Sequence, residues 1–268
     1  MTPRIMGILN VTPDSFSDGG RHLDADAAIA HGCALRDAGA DIVDVGGEST
    51  RPGAERVTPA EEMMRVLPVV AALAAEGILV SIDTMNSATA VEAVAAGARI
   101  VNDVSGGLAD PDMLPAVAAT DADVVLQHWR GPSADMYAGA RYDDLVRELV
   151  DELDGRRQAA MAAGISPDRV ILDPGIGFGK RGAQNWQALR GLDRVVAIGA
   201  RVLVGTSRKR FLAEALASDP AEVSEQRRDL ATAVTSVLAA QAGVWAVRVH
   251  DVAATRDALD VWSRWEAQ

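Results

Sequence analysis

Residues 5–11 of the chain read IMGILNV, and residues 12–20 continue as TPDSFSDGG. An apolar run that fits a buried strand thus ends in an amide side chain and passes into turn-forming and acidic residues. Apolar runs that end in polar side chains recur along the whole chain. The fold therefore follows from how these runs alternate with the segments between them.

Short runs rich in valine and isoleucine alternate with longer, alanine-rich segments of helical period. The predicted strands are residues 5–11, 41–47, 78–84, 99–105, 122–128, 169–175, 201–207 and 244–250. Their near-continuous hydrophobicity is typical of parallel strands that are covered on both faces. Several of the intervening segments end in glycine, which commonly closes a helix. About eight strand-helix units predict an α/β fold, a (β/α)8 TIM barrel, with residues 1–268 as one domain.

A doubly wound open sheet shares the alternating pattern and is the main alternative. Its GxGxxG fingerprint does not follow the first predicted strand. This argues only moderately against the open sheet, since many such sheets lack the motif. No shift in composition and no long linker divides the chain, which favours the single barrel.

Composition narrows the class of protein. The formal net charge of -12 argues against a nucleic-acid binder, which needs a basic face, but a locally positive pocket still allows a small anionic substrate. Cys33 is the only cysteine, which excludes an intramolecular disulfide and fits a reducing cytosol. No signal peptide or membrane-length apolar run is recognised. We therefore expect a cytoplasmic protein with no nucleic-acid and no membrane partner.

Polar side chains stand where the predicted strands end. They are Asn10, Asp44, Asp83, Asn102, Asp103, His128, Asp173, Ser207, Lys209, Arg248 and His250. In a barrel all these ends meet at one rim, where catalytic groups lie. Helix capping explains any single Asp or Asn about equally well, but capping does not require Lys, Arg and His at the last strands. The rim is therefore predicted to be the functional site.

The chemistry of these side chains falls into two groups. Asp83, Asn102 and Asp173 offer acceptors that a flat heterocycle rich in N–H donors would satisfy. A second group suits phosphate oxygens and a Mg²⁺ ion; it consists of Asn10, Arg51, Arg248 and His250. The pocket is predicted to take a planar base at one end and a phosphate at the other.

Seven motifs carry a resemblance to a known family. They are NVTPDSFSDGG (10–20), GGESTRPGA (46–54), SIDT (81–84), NDVSGG (102–107), DPGIGFGK (173–180), GTSRKRF (205–211) and RVHDV (248–252). In this order and on these strands they resemble dihydropteroate synthase, the folate-pathway enzyme family targeted by sulfonamides. The resemblance runs from about residue 5 to the last helix.

The resemblance implies a transferase. Its reaction condenses 6-hydroxymethyl-7,8-dihydropterin diphosphate with p-aminobenzoate to give 7,8-dihydropteroate and diphosphate, by an SN1-like displacement assisted by Mg²⁺. A homodimer through the last barrel helices is implied as well. Two alternatives stay open: a non-catalytic pterin-binding paralogue, and a pterin-dependent methyltransferase domain, which has no use for the 10–20 segment.

Residue roles follow from the same resemblance. The pterin-binding positions are Asp83, Asn102, Asp103, Asp173, Lys209 and Arg248. The diphosphate-binding positions are Asn10, Arg51, Arg248 and His250, with Asn10 also the Mg²⁺ ligand. The p-aminobenzoate positions are Phe16, Thr50, Pro52, Phe178, Ser207 and Lys209. The catalytic positions are Asp18, Lys209, Arg248 and His250, with Asp18 on a lid that steadies a cationic intermediate.

Some features depart from the family pattern or favour a purely structural interpretation. Residues 126–136, LQHWRGPSADM, replace a Met-His-Met type of strand end and leave the roles of His128 and Trp129 open. The FGK at 178–180 does not meet the phosphate-loop pattern, so it is interpreted as structural. Trp262 and Trp265 fit packing on the barrel and a dimer contact equally well.

Overall fold

The computed structural model describes residues 2–11, 21–48, 57–132, 137 and 139–267, with the side chains of 21–24 left out. Within this part of the chain, eight parallel strands pair in chain order and close on one another. They are β1 (Arg4–Asn10), β2 (Ile42–Gly46), β3 (Val80–Asp83), β4 (Ile100–Asp103), β5 (Asp123–Gln127), β6 (Val170–Asp173), β7 (Arg201–Val204) and β8 (Ala246–Val249). The predicted (β/α)8 TIM barrel is confirmed.

Helices surround the barrel between the strands. They are α1 (Arg21–Asp37), α2 (Pro59–Ala75), α3 (Ser87–Ala95), α4 (Met113–Ala118), α5 (Leu145–Ala162), α6 (Ala183–Arg190), α7 (Leu192–Val196), α8 (Arg210–Leu216), α9 (Glu225–Gln241) and α10 (Val252–Glu266). Two short 3₁₀ turns lie at Pro167–Arg169 and Pro220–Glu222. No described helix is both long enough and apolar enough to span a membrane.

The predicted strands all occur, but each ends one to three residues earlier than predicted. The largest difference is at β7, which stops at Val204 because the chain turns immediately afterwards. In that turn the N–H of Lys209 donates to the carbonyl of Thr206 at 3.1 Å. Ser207 and Lys209 therefore belong to the loop at the carboxyl rim, as do His128 and His250, whereas the other polar residues named above are the last or near-last residues of their strands.

The barrel interior changes from apolar to polar along the strands. Its lower layer is a buried cluster made of Met6, Ile42, Ile100, Val125, Ile171, Leu203 and Ala246. Side chains alternate along a strand, so the residue two positions further on faces the same interior. Those positions hold Ile8, Asp44, Asn102, Gln127, Asp173, Gly205 and Arg248. An apolar plug thus closes the bottom, and the layer above it contains the charged groups Asp44, Asp173 and Arg248.

The outer layer of the core packs the strands against the helices. The two tryptophans of α10 differ there: Trp262 packs partly buried against this core, whereas Trp265 is 79% exposed. Glu62 of α2 is fully buried, and its Oε2 accepts from Thr84 Oγ1 at 2.9 Å and Thr89 Oγ1 at 2.7 Å. This contact attaches α2 to the carboxyl end of β3, next to the mouth of the barrel.

Candidate active site

Arg248 joins three strands across the mouth of the barrel. Its Nε donates to Asp44 Oδ2 at 2.6 Å and its Nη2 donates to Asp83 Oδ2 at 2.7 Å. Burial alone would lower the pKa of Arg248, but the two carboxylates outweigh it and raise that pKa. Burial raises the pKa of Asp83 to about 7, Arg248 opposes this change, and Asp44 adds to it. The guanidinium is therefore a fixed positive charge held between two carboxylates.

Asp44 is an acceptor at the mouth to which the sequence pattern assigns no ligand. It lies in the middle of β2, fully buried, and its Oδ2 also accepts from Asn102 Nδ2 at 3.0 Å. The signal was available in the sequence, since a lone carboxylate within the apolar run of residues 42–46 requires a buried donor. The partner could not be chosen from the sequence, because Arg248 lies 204 residues further along the chain.

Asp173 and Lys209 form the opposite side of the mouth. Asp173 Oδ1 accepts from the N–H of Gly175 at 2.7 Å. Lys209 Nζ donates to the carbonyl of Ile176 and lies 4.7 Å from the centre of the Phe178 ring. Burial raises the pKa of Asp173, and the nearby Lys209 opposes that change. Burial lowers the pKa of Lys209 to about 8 against the attraction of Asp173.

A strained turn orients the side chains on either side of Arg208. Arg208 has φ 56°, a left-handed conformation that is unusual outside glycine. Its guanidinium donates to both oxygens of Asp229, at 2.7 and 2.9 Å, and its N–H donates to Thr232 Oγ1 at 3.2 Å. This fork holds the backbone in place. Ser207 and Lys209 therefore extend from a turn whose backbone is fixed by contacts of Arg208 with α9.

Ser207 and His250 contact each other at the carboxyl rim. Ser207 Oγ lies 2.8 Å from His250 Nδ1 and also accepts from the backbone N–H of His250 at 3.0 Å. The contact connects the loop after β7 to the end of β8. It places the imidazole beside Arg248, two residues earlier in the chain.

Asn10 ends β1 at the same rim, paired in register with Gly46 of β2. Among the described residues, no three His, Cys, Asp or Glu side chains lie together as a metal-binding group. Asp44 and Asp83, the carboxylates nearest in the strand order, are both engaged by Arg248. A single amide oxygen fits a Mg²⁺ ion that is held mainly by substrate phosphates and water, as Mg²⁺ commonly is.

Asp103 lies next to Asn102, but the structure gives its carboxylate a different environment. Its Oδ1 accepts from the N–H and Oγ of Ser105 at 2.8 and 2.6 Å, and its Oδ2 accepts from the N–H of Gly107 at 2.7 Å. Burial raises its pKa against these hydrogen bonds. Because side chains alternate along β4, Asn102 faces the interior while Asp103 shapes the following loop. The structure does not bring it together with the other predicted pterin ligands.

The structure brings together the remaining predicted residues that it describes. At the mouth lie Asn10, Asp83, Asn102, Asp173, Phe178, Ser207, Lys209, Arg248 and His250. The other predicted positions lie outside the described residues; they are Phe16, Asp18, Thr50, Arg51 and Pro52.

Comparison with known proteins identifies the family. The sequence profile described as "Pterin binding enzyme" matches residues 6–250. The dihydropteroate synthase of Mycobacterium leprae (strain TN) is 52% identical over 264 residues, which cover 98% of this chain and 93% of that protein. The chain belongs to the dihydropteroate synthase family. The family and the enzyme class, a transferase, are confirmed.

Solved structures of this family share the whole fold. A dihydropteroate synthase of Xanthomonas albilineans with 4-aminobenzoic acid has a TM-score of 0.91 at 46% identity, covering 99% of this chain and 94% of that one. The enzyme of the same organism in complex with 7,8-dihydropteroate has a TM-score of 0.88 at 43% identity, with the same coverage. The likeness therefore covers the rim as well as the barrel.

The pKa of Asp83 predicts a pH dependence of stability. The folded pKa of about 7 lies above the ordinary value of 3.8, so stability present at low pH is lost as the pH rises towards 7. We expect Asp83→Asn to remove this loss. Between pH 5 and 7, the variant should gain about 1 kcal/mol per pH unit in free energy of unfolding relative to the unmodified protein. Urea denaturation across this range measures the difference, and a constant difference would contradict the shifted pKa.

Proposed function

We propose that this chain condenses 6-hydroxymethyl-7,8-dihydropterin diphosphate with p-aminobenzoate, as a single barrel domain of cytoplasmic location. The observation that carries the proposal is the convergence of Asp83, Asn102, Asp173, Lys209 and Arg248 at one barrel mouth. The acceptors come from β3, β4 and β6, and the cations come from the ends of β7 and β8, around a single opening. The family membership given by the sequence comparisons supports the same reaction.

The carboxylate side of the mouth would hold the pterin. Asp173, 5% exposed, offers a buried acceptor to the N–H donors of the aminopyrimidine edge. Asn102 and Asp83 would orient the remaining ring edge. Arg248 is 20% exposed, and this exposed part of its planar side chain can stack on the pterin ring. The ring would thus lie over a preformed set of paired charges.

The cationic side would take the diphosphate. Arg248 and His250 stand at the end of β8, and Arg51 joins them by family resemblance. Mg²⁺ held by Asn10 and the substrate oxygens would supply charge neutralisation of the leaving group. The bond between the pterin methylene carbon and the diphosphate oxygen breaks, and the electron pair leaves with diphosphate. Asp18, by the same resemblance, steadies the resulting cation.

The amine end would complete the reaction. Phe178, Ser207 and Lys209 border this part of the mouth, and Phe16, Thr50 and Pro52 join them by family resemblance. The lone pair of the neutral arylamine forms the new carbon–nitrogen bond, and the nitrogen then loses a proton. Lys209 is placed to attract the carboxylate of p-aminobenzoate.

A homodimer through the last two helices is part of the proposal. α9 exposes Leu230, Val234 and Leu238, at 66%, 53% and 54%, and their spacing of four places them on one helix face. On α10, Val261 and Trp265 are 72% and 79% exposed, also four residues apart. Apolar side chains exposed on this scale are typical of a surface that a partner covers.

The proposed function can be tested with the unmodified protein. Incubation with both substrates and Mg²⁺ should yield 7,8-dihydropteroate and an equal amount of diphosphate. Asp173→Asn should lose pterin affinity by at least about tenfold, because the amide cannot accept from as many N–H donors. Asp103→Asn is the matched control, with affinity expected within about twofold since, among the described residues, the Asp103 carboxylate accepts hydrogen bonds from Ser105 and Gly107 of its own loop. Pterin binding without diphosphate release would favour the silent paralogue.

The metal assignment predicts an altered Mg²⁺ requirement. Asn10→Ala should raise the Mg²⁺ concentration for half-maximal activity by about fivefold, because one oxygen ligand is lost. Asn10→Asp, which keeps an oxygen at this position, should recover most of the effect. Metal titrations of initial rate measure both variants. An unchanged titration for Asn10→Ala would remove Asn10 as the ligand.

The dimer predicts a mass of twice the 28.1 kDa chain in solution. Replacing Val234 and Leu238 together by Glu should give monomers, because two charges would then lie in an apolar contact. Met161→Glu, 40% exposed on α5, is the control and should remain dimeric. Light scattering after gel filtration measures the oligomeric state. If the double variant is still a dimer, the apolar face of α9 is not the dimer contact.

A further inference from the structure

The loop between β6 and α6 is held by two lysines, the buried Lys180 and the partly buried Lys209. Lys180 Nζ donates to the carbonyls of Gly175 and Phe178, each at 3.1 Å. Lys209 Nζ donates to the carbonyl of Ile176 between them. The carbonyls therefore point inward at ammonium groups, and the Phe178 side chain is left on the side of the mouth, beside Lys209. The loop has no freedom to turn these carbonyls without leaving a buried charge unsatisfied.

Lys180 makes its third contact with His128 at the end of β5. Its Nζ lies 3.0 Å from His128 Nδ1, and both side chains are 1% exposed. In its charged form Lys180 only donates, which makes Nδ1 the acceptor and places the ring proton on Nε2. His128 Nε2 lies 2.9 Å from Glu152 Oε2, in a geometry that departs from a linear hydrogen bond. Burial and the charge of Lys180 lower the pKa of His128 to about 4, which agrees with a neutral ring.

A second route connects the same loop to α5. Arg130 donates to Glu152 and, at 2.7 Å, to Glu148. Its guanidinium carbon lies 3.9 Å from the centre of the Tyr142 ring, and Tyr142 OH donates to the carbonyl of Gly179 at 2.9 Å. The loop is thus fixed by α5 through His128 and Lys180 on one route and through Arg130 and Tyr142 on the other.

Glycine allows the loop to approach this closely. Gly175 and Gly177 have φ of 62° and 83°. A Cβ on Gly175 would lie 2.4 Å from the carbonyl oxygen of His128, and one on Gly177 would lie 2.8 Å from Lys209 Cδ. The backbone therefore passes directly against β5 and against the lysine of the active site.

Packing alone does not explain a lysine at position 180. Burial lowers its pKa to about 7, so a charged form is held there at a cost in free energy. An apolar side chain of similar volume often replaces a buried charge without loss of stability. What the ammonium contributes, and an apolar side chain cannot, is the direction of the Gly175 and Phe178 carbonyls.

We propose that Lys180 and His128 are positioning residues for the arylamine: through the β6–α6 loop they hold the Phe178 ring against Lys209, so that this wall of the amine pocket is formed before the substrate binds. The inference rests on the proposed function. A preformed wall lowers the KM for p-aminobenzoate, because no loop has to be ordered on binding. Neither residue donates a hydrogen bond to a pterin acceptor, but the charge of Lys180 acts on Asp173. Loss of Lys180 should therefore change pterin affinity less than it changes the KM for the amine.

The first test is Lys180→Met, which keeps the length of the side chain and removes its donors. The KM for p-aminobenzoate should rise about tenfold, with kcat at saturating amine within about twofold and a smaller change in the Kd for the pterin diphosphate. The matched control is Arg201→Met, which breaks a 2.9 Å ion pair with Asp123 at the opposite end of the barrel. Its KM should not change. Equal losses in kcat and pterin affinity for Lys180→Met would overturn the assignment.

Tyr142→Phe provides a second variant if Lys180→Met does not fold. It removes only the hydrogen bond to the Gly179 carbonyl, and the KM for the amine should rise about threefold or more with kcat retained. A double-mutant cycle adds a readout that general destabilisation does not give. Once Phe178→Leu has removed the ring, Tyr142→Phe or Lys180→Met should raise the KM no further.

The outcomes separate this inference from the proposed function. An unmodified protein that makes no product from both substrates would defeat the function. Product formation with an unchanged amine KM in Lys180→Met and Tyr142→Phe would defeat only the positioning role, as would additive effects in the cycle with Phe178→Leu.

Discussion

The site depends on Arg248 being held between Asp44 and Asp83. The three charges lie in the upper layer of the barrel, on β8, β2 and β3, where an unpaired charge would be costly. A guanidinium is planar, always protonated and able to donate in two directions, which a lysine could not match in this geometry. In the closed barrel β1 lies between β8 and β2, so the ion pair between Arg248 and Asp44 crosses β1. It places charged side chains at the mouth, above the apolar layer that closes the bottom of the barrel.

The rest of the site uses fixed backbone in the same way. Arg208 adopts a left-handed conformation that costs free energy, and its fork to Asp229 offsets that cost. As a result, the turn that positions the Lys209 side chain at the mouth has a fixed backbone conformation. On the facing loop, Lys180 directs the carbonyls of the segment that carries Phe178. Side chains that are already fixed by hydrogen bonds to the protein lose little conformational entropy when a ligand binds. This keeps the geometry of the binding groups well defined.

Much of the site could be predicted from residue type and position at the strand ends. Asp83, Asn102, Asp173 and Arg248 were expected at one rim, and the closed barrel brings them together. Asp103 shows the limit of this reasoning, since a neighbour of Asn102 on the same strand faces the other way and bonds its own loop. Adjacent residues of a strand face opposite sides and can differ in burial. In the sequence, however, a polar residue at a strand end looks the same whichever side it faces.

By itself the sequence determined the alternation of strands and helices, their order and the family, because these depend on periodicity and motifs among near neighbours. Only the tertiary structure decided which polar groups pair. Arg248 reaches Asp83 across 165 residues, and His128 meets Lys180 across 52. Such partners are chosen when the barrel closes and removes water from the charges, so that each buried group must bond to whatever the closure places beside it.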